Sequence, residues 1–251
     1  MNTAFAPLPI ADALARAWQG ADRLANAEVP VADAAQAYAV QDQLIARLGP
    51  VAGWKVGAAN DQAEPNCAPL PASVVVSQGT PVAVPARSLR GMELEVAVRL
   101  GADLLPGDAL LPPEAIAAAI DAVMPALEIV DTRLAEGRNA PVPAKLADLQ
   151  SHGALVLGAP VKADLRAIDL RTLRTQLWFD GQCVADTTGG HVAPDVMRLI
   201  AWLARHAQAR GLPLRAGQVI TTGTCTGLIL APAGARVEGE VAGLGRVALT
   251  A

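Results

Sequence analysis

Gly91-Met-Glu-Leu-Glu-Val-Ala-Val98 and Met124-Pro-Ala-Leu-Glu-Ile-Val-Asp131 decide how this chain is read. As a strand, the first run puts Glu93 and Glu95 on one face and Leu94 and Val96 on the other, because successive side chains alternate. Glu128, set among Ala126, Leu127, Ile129 and Val130, reads as part of a strand buried on both faces. Glu-x-Glu is also common on the wet face of a half-exposed strand, but the apolar setting of Glu128 favours a shared site. Crowded, poorly solvated carboxylates relieve their repulsion by a raised pKa or a bound cation. A ligand set of Glu93, Glu95 and Glu128 suits a hard divalent ion, Mg²⁺ first and Mn²⁺ as the alternative.

Around these runs the texture changes once. Residues 10–48 are Ala-rich with a helical stripe, divided into two helices at Pro30 and Asp33 and ended by Gly49-Pro50. From Gly53 onward, short β-rich runs are punctuated by Pro and Gly: 54–56, 73–77, 94–100, 126–130, 154–157, 177–179, 219–222, 237–241 and 246–249. Helical patterns interrupt them at 113–122 and 194–210. Strands and helices do not alternate regularly, which argues against a doubly wound parallel fold. The expectation is an α+β fold on a mixed, curled sheet, with a small N-terminal helical region over residues 1–52 and a catalytic domain over 53–251.

Composition narrows the function. The chain has 251 residues, 52% of them hydrophobic, enough for a sizeable core. Aromatic residues make up 3% and the net charge is −4, which disfavours base-stacking platforms and nucleic-acid or anionic-membrane partners. Cys67, Cys183 and Cys225 form no Cys-x-x-Cys pair, so reduced thiols are expected. The opening residues carry no basic, apolar leader, and no apolar run approaches the roughly 18 residues of a membrane span. A soluble cytoplasmic protein is expected, as a homo-oligomer or in a complex with a pathway enzyme.

Single residues add weaker signals. Lys55, in Gly53-Trp-Lys-Val-Gly57, is either an edge-strand lysine that discourages aggregation or an anion-binding or acid/base group, with glycines that let backbone approach closely. Asp148 opens a polar turn, and a turn former is its plainer reading. The run Thr221-Thr-Gly-Thr-Cys-Thr-Gly227 is either a tight turn or a set of hydroxyls and N–H groups for a carboxylate. His152 could face a site, His191 opens a glycine-flanked loop, and His206 reads as a surface residue of a helix. Cys225 reads as a buried structural thiol rather than a nucleophile. Gly-x-Ser-x-Gly, a Walker loop and a dinucleotide Gly-x-Gly-x-x-Gly before a helix are missing.

In order and spacing, several segments together resemble the fumarylacetoacetate hydrolase superfamily, in the branch of 2-keto-4-pentenoate hydratase and 4-oxalocrotonate decarboxylase. They are Gly53-Trp-Lys-Val-Gly57, Glu93-Leu-Glu-Val-Ala97, Ala126-Leu-Glu-Ile-Val-Asp131, residues 148–158, Ala201-Trp-Leu-Ala204, Leu214-Arg-Ala-Gly-Gln-Val-Ile220 with Thr222-Gly-Thr224, and Gly243-Leu-Gly-Arg-Val247. The resemblance implies a metal on Glu93, Glu95 and Glu128 that chelates a small 2-oxo acid, with Lys55 beside the substrate. It implies a metal-dependent hydro-lyase of aromatic-compound catabolism that adds water to a conjugated 2-oxo acid. Decarboxylation of a 4-oxalocrotonate type, C–C hydrolysis of an acylpyruvate with His152 as base, and a non-catalytic partner subunit are the alternatives. Two departures point to a divergent substrate. Asp148-Leu-Gln-Ser-His152 stands where family hydratases carry Asp-Asn and small residues, and Asn66-Cys-Ala-Pro-Leu-Pro-Ala72 replaces an acidic element. These positions are expected to line the pocket, with Asp148 and His152 catalytic and Leu149, Ser151, Thr222, Gly223 and Thr224 binding substrate.

Overall fold

The computed structural model describes residues 5–85, 87–107 and 111–251; residues 1–4 of the opening segment read above for a leader lie outside them. Two helices come first, α1 (Pro7–Trp18) and α2 (Ala34–Leu48). Asp33 caps α2 by accepting the Gln36 N–H, and Gly49, at a φ of 108°, ends it, as the division at Pro30 and Asp33 predicts.

The larger sheet is assembled from β1 (Val51–Gly57), β2 (Asn66–Pro71), β3 (Val75–Ser77), β4 (Gly91–Leu100), β5 (Ile120–Val130), β6 (His152–Leu157), β9 (Val219–Thr224) and β10 (Ile229–Leu230), in the order β2-β1-β9-β4-β5-β6-β3 with β10 paired to β4. The pairing is mixed: β1–β9 and β3–β6 run parallel, while β4 is antiparallel to both β5 and β9. A smaller sheet follows the order β12-β11-β7-β8, formed by β7 (Arg174–Phe179), β8 (Gln182–Thr188), β11 (Arg236–Val241) and β12 (Gly245–Thr250). The last two strands form the expected terminal hairpin.

The sequence reading misplaces three features. β2 was not expected as a strand, and it carries Pro69 and Pro71; at the sheet's edge a missing N–H removes no ladder bond. The helical pattern at 113–122 yields only α3 (Pro113–Ala119), since Ile120 already pairs with Leu100. Residues 67–71, expected at the pocket, are buried inside the sheet.

The two sheets meet across a shared core. Leu94, Val96, Leu127, Leu177, Val237 and Val247 are all buried within it. Gly239 of β11 lies so close over β4 that an added Cβ would stand 2.5 Å from the Leu94 side chain. One face of β4 is thereby committed to packing, and Glu93 and Glu95 project from the other. A long helix, α5 (Val196–Ala209), buries Leu199, Ile200, Leu203, Ala204 and Ala207 against the β1–β9 edge. The N-terminal helices share a second core with Leu134, Ala144, Leu146, Ala147 and Leu149, from the stretch that contains α4 (Val142–Ala147). Among the described residues no helix is long and apolar enough to cross a membrane.

Candidate active site

The site begins with strand register. β4 and β5 pair so that Glu93 lies directly opposite Glu128, with Glu95 two positions on, opposite Ala126. Like charges directly opposite one another destabilise a sheet. The three side chains nevertheless converge, and one carboxylate oxygen from each lies within 4.8 Å of the others. Glu95 and Glu128 are 2% and 1% exposed.

Lys55 reaches this cluster by the curl of the sheet. Its strand is separated from β5 by β9 and β4, which in a flat sheet places the strands ~14 Å apart, beyond a lysine's reach. Yet Lys55 Nζ lies 2.5 Å from Glu128 Oε1. Gly53 helps to close this side: a Cβ there would stand 2.5 Å from the Val219 carbonyl oxygen of β9, so the parallel pairing of β1 and β9 needs glycine.

The charges are unequal. Burial disfavours ionised Glu128, but Lys55, and His152 donating from Nδ1 at 2.9 Å, outweigh it and hold the carboxyl at about 2. Lys55 is likewise kept protonated: burial works against its charge, and Glu128, Glu93 and Glu95 overcome it. Burial, then the charge of Glu128, pushes Glu93 up to about 7. Glu95 is raised well above the usual carboxylate range by the same two causes and by Glu93, although the Gly223 N–H donates to its Oε2 at 2.9 Å. Glu128 Oε2 is buried without a hydrogen-bond partner among the described residues. Three carboxylates with an orphaned oxygen fit a divalent cation, because ligand distances of ~2.0–2.6 Å span this spread of oxygens.

The cluster opens to a cavity of 330 Å³ lined by Lys55, Glu93, Leu89, Val130, Leu228 and, from the far wall, Arg138, Lys145, Gln150 and Ser151. Cavities of 570 and 760 Å³ elsewhere contain none of the three carboxylates and no Lys55, so the smaller one is the candidate. Its wall is shaped by an unusual turn. Leu149, Gln150 and Ser151 have φ of 48°, 55° and 57°, three successive residues with side chains in the left-handed region, each costing of order 1 kcal/mol or more. The turn aims the Gln150 carbonyl at Lys55 Nζ, 3.3 Å away, and its side chain donates to Asn66 Oδ1.

Several expected site residues are placed elsewhere. Asp148 is buried and occupied: its Oδ1 accepts from Arg133 Nε at 2.6 Å and its Oδ2 from Thr132 Oγ1 and the Arg133 N–H. Arg133 also donates to the Asp148 and His152 carbonyls, so the pair ties down both ends of the strained turn and has no free oxygen for substrate. His152 is fully buried behind Glu128, and its low pKa, caused first by burial, keeps it neutral; it orients Glu128 and has no opening to a substrate water. Leu149 packs with the N-terminal helices rather than the pocket. In the 222–224 segment the carboxylate that Gly223 receives is the chain's own Glu95, Thr222 Oγ1 donates to the Val96 carbonyl, and Thr224 Oγ1 accepts from the Thr226 N–H. Only Ser151 of the expected substrate-binding set, with Lys55, lines the cavity.

Cys225 is buried and its thiol is pushed by burial up to about 12, as a structural residue should be. His206 is half-buried rather than fully exposed: it stacks on Trp202 at 4.5 Å and meets Tyr38 at 4.3 Å. His191 accepts the Ala193 N–H and donates to the Thr222 carbonyl at 2.8 Å, which steadies the loop that holds Glu95. Sequence reasoning missed Arg133, Gln150, Arg138 and Lys145; an arginine three residues past a buried strand was a usable signal for the first, and no signal marked the left-handed turn.

A model of the fumarylacetoacetate (FAA) hydrolase C-terminal domain matches residues 36–250. The chain belongs to the fumarylacetoacetate hydrolase family. Its relatives in that family include 2-hydroxyhexa-2,4-dienoate hydratase of Comamonas testosteroni, 33% identical over 61% of this chain and 56% of the relative. With 2-keto-4-pentenoate hydratase 1 of Dechloromonas aromatica it is 29% identical over 90% of this chain and 87% of the relative. The chain thus aligns with little more than half the length of the first of these hydratases. Among solved structures, 4-oxalocrotonate decarboxylase from Pseudomonas putida G7, complexed with magnesium and adipate, superposes with a TM-score of 0.81 at 25% identity, covering 97% of this chain and 96% of that one. The mixed curled sheet is therefore the fold of this family.

Proposed function

We propose that this pocket carries metal-dependent lyase chemistry on a small unsaturated 2-oxo acid, with hydration of the conjugated double bond as the principal reaction. The observation that carries the reading is the set of three carboxylates within 4.8 Å, beside a charged lysine, with Glu93 and Lys55 lining a 330 Å³ cavity. A cavity of that size, at the lower end of the ~300–1,000 Å³ typical of ligand sites, suits a compact substrate. Glu93, Glu95 and Glu128 would hold the cation, Mg²⁺ first and Mn²⁺ as the alternative. The chemistry such an ion supplies is electrophilic polarisation of a chelated 2-oxo acid.

The chain's own residues do the rest. Lys55 is held as an ammonium, so its first action is to bind an anionic oxygen or to give up a proton rather than to take one. The Gln150 carbonyl fixes the direction of its Nζ. Leu89, Val130 and Leu228 give the hydrocarbon chain apolar walls and limit water to the molecule that reacts. In hydration the water oxygen joins C4, a proton from Lys55 joins C3, and the proton that the water gives up returns Lys55 to its ammonium form. His152 and Asp148 serve as positioning residues behind Glu128 and the strained turn.

Decarboxylation is the second reading, favoured by the overall likeness to the decarboxylase over 97% of the chain. Acylpyruvate hydrolysis has less support, because His152, its candidate base, is buried and bonded to Glu128. A non-catalytic partner role fits poorly with an intact carboxylate set and a charged Lys55. The test is turnover of a panel of 2-oxo-enoates followed in the ultraviolet, with Mg²⁺ or Mn²⁺ and then with EDTA, products being weighed by mass spectrometry. Metal-dependent gain of one water supports hydration and loss of CO₂ supports the second reading. No turnover of any member under either condition contradicts both.

A further inference from the structure

A second cavity lies back to back with the carboxylate site. Alternate residues at the end of β5 serve the two: Glu128 and Val130 belong to the carboxylate side, whereas Ile129 and Asp131 line the cavity of 570 Å³, as strand periodicity requires. Just before β4, Ser88 lines the larger cavity and its neighbour Leu89 the smaller one. Val74, Val76, Val82, Val84, Ile129 and Ala154 give the larger chamber apolar walls, and Trp18 closes one side with its ring 4.2 Å from the Arg133 guanidinium. Protein interiors keep few voids larger than a water molecule, so an open apolar chamber of this size has the form of a ligand site. Its charges do not balance. Three arginines and one acid line it, Arg23, Arg87, Arg133 and Asp131. Arg133 is matched by Asp148 at 2.6 Å and Arg23 by Asp131 at 3.0 Å. Arg87 is left with Asp22, 3.8 Å away and with a fully exposed side chain, a pair that water and salt screen almost entirely. The Arg87 Nη2 donates to the Ala21 carbonyl, which pins the guanidinium beside the chamber.

We propose that this chamber is a second binding site, separate from the metal-dependent one, for an apolar molecule that bears a single carboxylate. The hydrocarbon body takes the place of water against the valine and isoleucine walls. The carboxylate meets Arg87, whose Nε and Nη1 donate to no group among the described residues and present the planar pair of donors that fits two carboxylate oxygens. One carboxylate answers the one unmatched charge. A neutral molecule of the same shape leaves that charge unanswered, and a second carboxylate enters apolar walls with no cation left for it, so both are discriminated against. Glu93, Glu95, Glu128 and Lys55 all lie outside the chamber, so its occupant is bound rather than turned over.

The experiment is calorimetric titration with 2-naphthoate, its neutral analogue 2-naphthamide and 2,6-naphthalenedicarboxylate, each in EDTA and again in Mg²⁺. The wild type is expected to bind one 2-naphthoate per chain in either buffer, about tenfold or more tightly than the other two compounds, as charge-assisted hydrogen bonds imply. Arg87→Gln, at an exposed position, should erase that margin. Val84→Trp, which fills the chamber, should weaken the binding of 2-naphthoate by about tenfold or more. No binding of 2-naphthoate, equal affinity for acid and amide, a margin that survives Arg87→Gln, or an affinity unchanged by Val84→Trp overturns the inference. Binding seen only in Mg²⁺ overturns it as well, since the acid would then sit on the carboxylate cluster. Unchanged thermal unfolding shows that the variants are folded, and should Val84→Trp fail that check, Arg87→Gln decides.

Discussion

Replacing Lys55 by Met tests how the carboxylate cluster is kept folded. The ammonium is 2.5 Å from Glu128 Oε1 and the carboxylate is 1% exposed, so the substitution strands a buried charge. Glu128 is held at about 2 instead of 4.5 by Lys55 together with His152, so the ammonium accounts for only part of that shift. Breaking one side of a buried ion pair costs ~3–5 kcal/mol, and the lower end, about 3 kcal/mol, applies because His152 still bonds the carboxylate. For a chain of this size each kcal/mol moves the midpoint by about 2–4 °C, so Lys55→Met should lower Tm by roughly 6–12 °C. The assay is thermal unfolding by circular dichroism after EDTA treatment, with Lys162→Met, an exposed lysine, as control. Because the folded-state pKa of Glu128 is depressed, the stabilisation is fully present above about 4.5 and is lost as the pH falls toward 2. Mg²⁺ should narrow the gap between variant and wild type, since a cation on the carboxylates replaces the missing ammonium. A Tm within about 2 °C of wild type in EDTA would refute the reasoning, as would an equal loss in the control.

Glu93 acts with the opposite sign: its folded pKa of about 7 lies above the ordinary carboxyl value of 4.5, so the folded state holds more protons between those values and metal-free protein should lose stability as the pH rises through them. Thermal midpoints between pH 5 and 8 in EDTA check this, and a rise across the window would contradict it. Asp148→Ala strips the buried Arg133 of its carboxylate and should cost about 3–5 kcal/mol; calorimetric unfolding reads it, and a fully stable but inactive variant would return Asp148 to a direct catalytic role. Ser151→Gly relieves one left-handed residue, so Tm should stay level or rise by the equivalent of up to ~1 kcal/mol; a loss of more than that shows the hydroxyl is needed for folding.

Much of the carboxylate site was legible because strand periodicity is a local property. Glu93 and Glu95 share a face by alternation alone, and Glu128 announces itself as a charge in an apolar run. Their partner Lys55 was legible as a neighbour only through the family resemblance, because its reach across two intervening strands depends on the curl of the whole sheet. The expected site residues that the structure places in other bonds have a common explanation. Asp148, His152 and the 222–224 loop were read as groups offered to a ligand, because a sequence shows which side chains can bond but not that Arg133, Glu128 and Glu95 already take those bonds. The turn at Leu149–Ser151 escaped notice because residues with side chains rarely adopt φ near 50° in succession. β2 escaped because its prolines are tolerated only at an edge, and edge position is a fact of topology.

The account stands on the claim that Glu93, Glu95 and Glu128 hold one divalent cation. Its most direct test is calorimetric titration of metal-free protein with Mn²⁺, in wild type and in Glu95→Gln, with circular dichroism to confirm that the fold persists. One ion per chain is predicted for the wild type, with affinity reduced at least about 10–100-fold in the variant, the loss that follows from disturbing even a ligand's supporting partner. Equal affinity in the two proteins, or no binding to the wild type, would contradict it.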